Sequence, residues 1–145
     1  MSAGRICSRT VVTARPEESV RVAARRMAQN DVGTLVVVRA DGPNEAIGIV
    51  TDRDIAVRCV AGDLNPDTAL VSKIMTQPVR AVDEGMPIEQ VMVRMAEAGA
   101  RRLVVTGAGD KLVGIISLDD FLDLLVEEMG PIGRLLERQQ PRVPA

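Results

Sequence analysis

The chain has no tryptophan, no tyrosine and no histidine, and its single aromatic residue is Phe121. Each absence excludes something. Proteins that hold single-stranded nucleic acid without sequence preference stack its bases on aromatic rings, and one ring is no platform. The 18 basic and 20 acidic residues nearly cancel, so no net field draws the chain to a polyanion. Nucleic acid is therefore not an expected partner. Without imidazole the usual general base near neutral pH is missing, and so is any Cys/His zinc site. No phosphate-binding Gly-x-x-x-x-Gly-Lys loop occurs, nor a recognisable metal-ligand motif. No catalytic residue, metal ligand or required cofactor is assigned, and the chain is not expected to be an enzyme. Cys7 and Cys59 are the only cysteines, too few for a disulfide framework. They read as free thiols in a reducing compartment, Cys59 on a helix face. No apolar run approaches the length of a transmembrane helix. The expected location is the cytoplasm, with no membrane partner.

What remains is a chain of 145 residues, 46% hydrophobic, with an aliphatic core in prospect. It has the size of one ordinary domain, and it is written twice. Val20, Ala23, Ala24 and Met27 make an apolar helix stripe; Ile88, Val91, Met92 and Met95 make the same stripe 68 residues on. Each stripe is followed by a β-rich run, "TLVVVR" at 34 to 39 and "RLVVT" at 102 to 106. Neither run alternates strictly, which predicts strands covered on both faces. Turn signals follow at "DGPNE", 41 to 45, and "GAGD", 107 to 110. Then come a further strand, "AIGIV" or "LVGII", and a second helix. Upstream, "TVVT" at 10 to 13 matches "PVRA" at 78 to 81. Each unit reads β-α-β-β-α, and two units this small are expected to share a core. The boundaries read as a first repeat at 5–62, a linker at 63–77, a second repeat at 78–129 and a C-terminal extension at 130–145. The apolar residues of "FLDLLVEEM" exceed one stripe, "GPIGRLLERQQ" restarts after it, and "PRVPA" looks frayed. Surplus apolar helix surface predicts a partner, first of all a homodimer. Met75, Met86, Met92, Met95 and Met129 read as packing residues.

Two motifs carry the chemistry, "GIVTDRD" from Gly48 to Asp54 and "GIISLDD" from Gly114 to Asp120. Thr51-x-x-Asp54 and Ser117-x-x-Asp120 fit a capping box, in which hydroxyl and acid each accept a backbone N–H at a helix start. The same geometry also suits a ligand. A helix start holds phosphate, the hydroxyl can donate to it, and the acid can accept from ribose hydroxyls. Gly48 and Gly114 would let the backbone run close to a flat ligand. The two readings do not exclude each other.

The whole pattern resembles the cystathionine-β-synthase (CBS) domain as a tandem pair, often called a Bateman module. The resemblance covers about residues 5 to 128. It is carried by "VVTARPEESVRVAARRMAQNDVGTLVVV", "AIGIVTDRDIA", "VSKIMTQPVRAVDEGMPIEQVMVRMAEAGARRLVVT" and "KLVGIISLDDF". It implies an α+β fold in which two units pack through their sheets with pseudo-two-fold symmetry. It further implies two clefts for an adenosine-containing ligand such as AMP, ADP, ATP or S-adenosylmethionine. Thr51 and Ser117 match the hydroxyl that faces phosphate or ribose, and Asp54 and Asp120 the acid that holds ribose. The first unit departs from the pattern, with "GRICSRT" where the second has "KIMTQP".

Basic residues near the motifs have two readings each. Arg53, inside the first motif, faces solvent or a phosphate. Arg101 and Arg102 stand where the first unit has Gly33 and Thr34; they reach a phosphate or form a solvated pair. Lys73 and Arg80 carry the same choice. The expected function is a small regulatory protein that senses an adenosyl ligand and acts on a separate, unknown effector protein. The alternative is a ligand-independent dimeric interaction or stress-response protein.

Overall fold

The computed structural model describes residues 1–39, 41 and 44–139. The first elements are α1 (Ala3–Ile6), β1 (Thr13–Ala14), α2 (Val20–Asn30), β2 (Thr34–Val38) and β3 (Ala46–Thr51). A short α3 (Asp52–Asp54) widens into a π-helical stretch, Ile55–Val60. Next come α4 (Val71–Ile74), β4 (Ala81–Asp83), α5 (Ile88–Ala98), β5 (Arg102–Thr106), β6 (Leu112–Ser117) and α6 (Leu118–Gln139). The turn tip at 42 and 43 and the terminal "PRVPA" lie outside the described residues.

The architecture is α+β, with two three-stranded sheets ordered β1-β2-β3 and β4-β5-β6. In each sheet the first pair is parallel and the second antiparallel. Local chemistry sets the helix limits. The Ser19 hydroxyl accepts from Val22 N–H at the start of α2, satisfying one of its orphan donors. Both long helices of the repeats end in the left-handed region, α2 at Asp31 (φ 51°) and α5 at Gly99 (φ 57°).

The central strands are covered on both faces, as their unbroken apolar runs predict. Leu35 and Val37 join Val20, Ala23 and Met27 in the first unit's core. Leu103 and Val105 do the same with Val91, Met95 and Phe121 in the second. The residues between them turn the other way. Val36, Val38 and Ala46 meet Val104 in a cluster between the sheets, with Ile49 and Ile115 beside it. Val36 and Val104 are fully buried and contribute about 1.5–3 kcal/mol each, so the two sheets share a core between them.

The segments ahead of the two units are exchanged. Ala3 and Gly4 of α1 donate to the Met86 and Glu84 carbonyls at 2.9 and 2.8 Å, and Ala3 is buried in the second unit's core. The stretch read as a linker carries α4, whose Val71 and Ile74 are buried in the first unit's core. Each unit is therefore completed by chain that precedes the other.

Two expectations change. Met92 and Met129 are exposed, because α5 and α6 turn only one face to their own core. The expected restart at Gly130–Pro131 is absent, and α6 runs straight through it. Pro131 forfeits one donor in a solvated helix, where water can satisfy the carbonyl left over. The surplus apolar residues of α6 form a seam. Leu118, Leu122, Leu125, Met129, Ile132 and Leu136 alternate spacings of four and three, and all are exposed. Among the described residues no helix is long and apolar enough to cross a membrane.

Candidate functional site

Both repeated motifs are capping boxes. Thr51 Oγ1 accepts from Asp54 N–H at 3.1 Å, and Asp54 Oδ2 accepts from Thr51 N–H at 2.9 Å. Asp120 Oδ2 accepts from Ser117 N–H at 2.6 Å, and Ser117 Oγ accepts from Asp120 N–H at 3.3 Å. The Ser117 hydroxyl also donates to Asp120 Oδ2 at 2.9 Å. In each box the helix start consumes one carboxylate oxygen. The other Asp54 oxygen lies 3.7 Å from Arg58 Nε.

The Thr51 box opens onto a cleft of about 380 Å³ between the repeats. Thr34, Ile49, Thr51 and Asp54 line it from the first unit; Arg80, Arg101 and Arg102 line it from the second. Arg58, Thr76 and Ala100 complete the lining. Arg58 projects from the π-helical stretch, and its Nη1 donates to the Ile74 and Met75 carbonyls at 2.9 and 3.3 Å. Arg80 Nη1 donates to the Ala98 carbonyl. A larger recess of about 640 Å³, beside Arg39, Glu45, Gln77 and Thr106, contains neither motif.

Thr51, Asp54 and Arg102 thus meet in one cleft. Ser117 and Asp120 form the corresponding box of the other repeat and do not line it. Arg53 is exposed and outside the lining. At its helix start the Asp52 side chain takes the Arg53 N–H, leaving the guanidinium to solvent. Arg58 was missed. Its signal was position: four residues after Asp54, it shares that residue's helix face.

The two motif glycines also meet a packing demand. A Cβ on Gly48 would lie 2.8 Å from the Thr76 carbonyl oxygen and 3.1 Å from Met75 Sδ. A Cβ on Gly114 would lie 2.5 Å from the Ser8 carbonyl oxygen and 2.7 Å from Cys7 Sγ. This close approach is made by the exchanged segments, each through a carbonyl oxygen and a sulfur. It also shows how "GRICSRT" replaces "KIMTQP": Cys7 and Ser8 occupy in the second unit the places of Met75 and Thr76 in the first. Burial pushes the Cys7 thiol up from its ordinary pKa, Arg9 opposes, and Asp120 and Glu84 add to the rise.

The CBS domain family model matches residues 3–60 and 71–127. An uncharacterized protein of Methanopyrus kandleri is 34% identical over 124 residues, 86% of this chain. The chain spans 62% of that relative's length. A solved CBS-domain protein from Burkholderia ambifaria has a TM-score of 0.77 at 29% identity, with 99% of this chain and 100% of that one covered. A CBS domain protein from Pyrobaculum aerophilum, solved in complex with AMP, also has a TM-score of 0.77, at 27% identity. There 88% of this chain and 97% of that one are covered.

Proposed function

The chain belongs to the CBS domain family as a tandem pair, and from that premise we propose that it is a regulatory protein sensing an adenosine-containing ligand between its repeats. The candidate ligands are AMP, ADP, ATP and S-adenosylmethionine. One observation carries the reading: a hydroxyl and an acid at a helix start face a cleft whose opposite wall is arginine. Thr51 Oγ1 donates to a phosphate or ribose oxygen. The second Asp54 oxygen accepts from ribose hydroxyls. Ile49 and its strand offer an aliphatic face to adenine, with no aromatic ring needed. The relative complexed with AMP supports the same reading.

The ligand bridges both repeats, so binding changes how firmly they are held together. That change is the signal, and a separate effector protein receives it. The working unit is a cytoplasmic homodimer joined through the exposed seam of α6, and the reading gives it no reaction of its own.

The test is a calorimetric and melting titration with the four candidate ligands. A ligand that binds only the folded chain raises its melting temperature once its concentration passes Kd. At least one is expected to do so. Asp54→Asn is expected to weaken it about tenfold, the value of one hydrogen bond to a charged group. The melting temperature without ligand separates this loss from loss of the cap. No shift with any of the four at millimolar concentration rejects the reading.

One observation favours a second reading. Both boxes are satisfied by their own backbone, so both are complete as helix caps without a ligand. A ligand-independent dimeric interaction or stress-response protein would need no more. A partner captured equally with and without nucleotide would favour it.

A further inference from the structure

The second half of α6 is not covered by its own chain. From Leu125 to Arg138 every residue is exposed, and a Cβ built on Gly133 would meet no atom within 4 Å. The CBS match ends at residue 127, while α6 runs on to Gln139. This arm contains Gly130, Pro131 and Gly133, all of which resist a helix. Glycine gives up more backbone freedom than other residues, and proline withholds a donor. The residues after Gly133 are too few to hold a helix alone in water. What stabilises such a segment is packing of an apolar face. Ile132, Leu135 and Leu136 supply that face and are 56%, 56% and 58% exposed.

Charge indicates what covers it. Residues 118 to 128 hold Asp119, Asp120, Asp123, Glu127 and Glu128 and no basic residue. Residues 129 to 139 hold Arg134 and Arg138 against one acid, Glu137. Among the described residues neither arginine has a carboxylate within 4.0 Å. Two copies of α6 laid parallel would set their acidic halves side by side. Laid antiparallel, they keep every layer of the seam apolar. Leu118 meets Leu136 of the second copy, Leu122 meets Ile132, and Leu125 meets Met129. Arg134 then comes level with Asp120 of the second copy, and Arg138 lies about one turn beyond. The two helix dipoles also oppose each other. A two-fold axis repeats each of these contacts, so the surface is complementary to itself.

We propose that the arm of α6, residues 130–139, is an assembly clasp that lies antiparallel along residues 118–128 of a second copy. This rests on the homodimer of the proposed function, and adds its orientation and the segment that closes it. The arm is helical in the pair, where its apolar face is covered and its arginines meet the acids of the other chain.

The experiment combines sedimentation with disulfide cross-linking. A chain ended after Met129 should keep a cooperative melt, because the arm is not part of its core, and should dimerise at least about tenfold more weakly than the full chain. Arg134→Glu/Arg138→Glu in the full chain should weaken the dimer about tenfold while the apolar seam is intact. Orientation is read from Leu122→Cys and Ile132→Cys, made separately in a Cys7→Ser background, Cys59 being buried. On oxidation neither should form a covalent dimer by itself, and the mixture should form one. A covalent dimer from Leu122→Cys alone, or a dimer as tight without the arm or with both arginines reversed, would overturn the clasp and leave the homodimer standing. A monomer for the unaltered chain overturns both, and the ligand titration is read independently of either.

Discussion

Ile49 and Thr76 exchange two backbone hydrogen bonds, at 3.1 and 2.8 Å, across the junction between β3 and the segment that leads into the second repeat. Ser8 and Ile115 make the mirror pair at 2.9 and 3.0 Å. Neither repeat owns all of the chain that closes its sheet. Fragments 1–62 and 63–145 are therefore expected to lack a cooperative melt when made separately, and to regain one when mixed. Circular dichroism on each fragment and on the mixture checks this. A cooperative melt of either fragment alone would contradict the exchange.

The same pairs set the tolerance of the two motif glycines. At Gly48 and Gly114 a Cβ would press on a carbonyl oxygen of the crossing segment, and backbone yields less easily than a side chain. Gly48→Ala and Gly114→Ala are each expected to destabilise by about 1–3 kcal/mol, as overpacking does. Gly114→Ala should cost more, because its contacts of 2.5 and 2.7 Å are shorter than the 2.8 and 3.1 Å at Gly48. Melts without ligand are the measurement. A loss seen only in ligand affinity would favour the ligand role read for these glycines over the packing one.

The seam on α6 predicts assembly. Apolar residues alternating three and four apart are the spacing of helices that pack along their length. Leu122→Glu/Leu125→Glu places charge in the seam at two exposed positions and should leave the fold of the chain unchanged. Sedimentation is expected to show a dimer for the unaltered chain and a 15.5 kDa monomer for the variant. A monomer in both cases would remove the proposed dimer.

Cys7 supplies a pH dependence. Its thiol pKa is raised in the folded chain, first by burial. A group raised in this way adds stability that is complete below its unfolded pKa and is lost as pH climbs through the folded one. Relative to Cys7→Ala, the unaltered chain should therefore lose melting temperature over the alkaline window that opens above an ordinary thiol's pKa of about 8.5. A difference that stays flat over that window would show that the thiol adds no pH dependence.

Features set by local physics were legible in the sequence. The stripes on α2 and α5, the apolar strands 34–38 and 102–106, and the two capping boxes each depend on residues within a few positions of one another. Their repetition made the doubled fold legible. The cleft was legible only in part. Thr51 and Asp54 announced themselves through spacing, while Arg80 and Arg101 offered only charge, and charge alone does not tell a wet surface from a wall. Arg53 looked equivalent to them and faces solvent. Tertiary structure decided these cases because Arg80, Arg101 and Arg102 reach Thr51 only when one repeat lies against the other. It also decided the exchange of α1 and α4 between units. Periodicity records which face of an element is apolar, but not which sheet, out of two nearly identical ones, that face will cover.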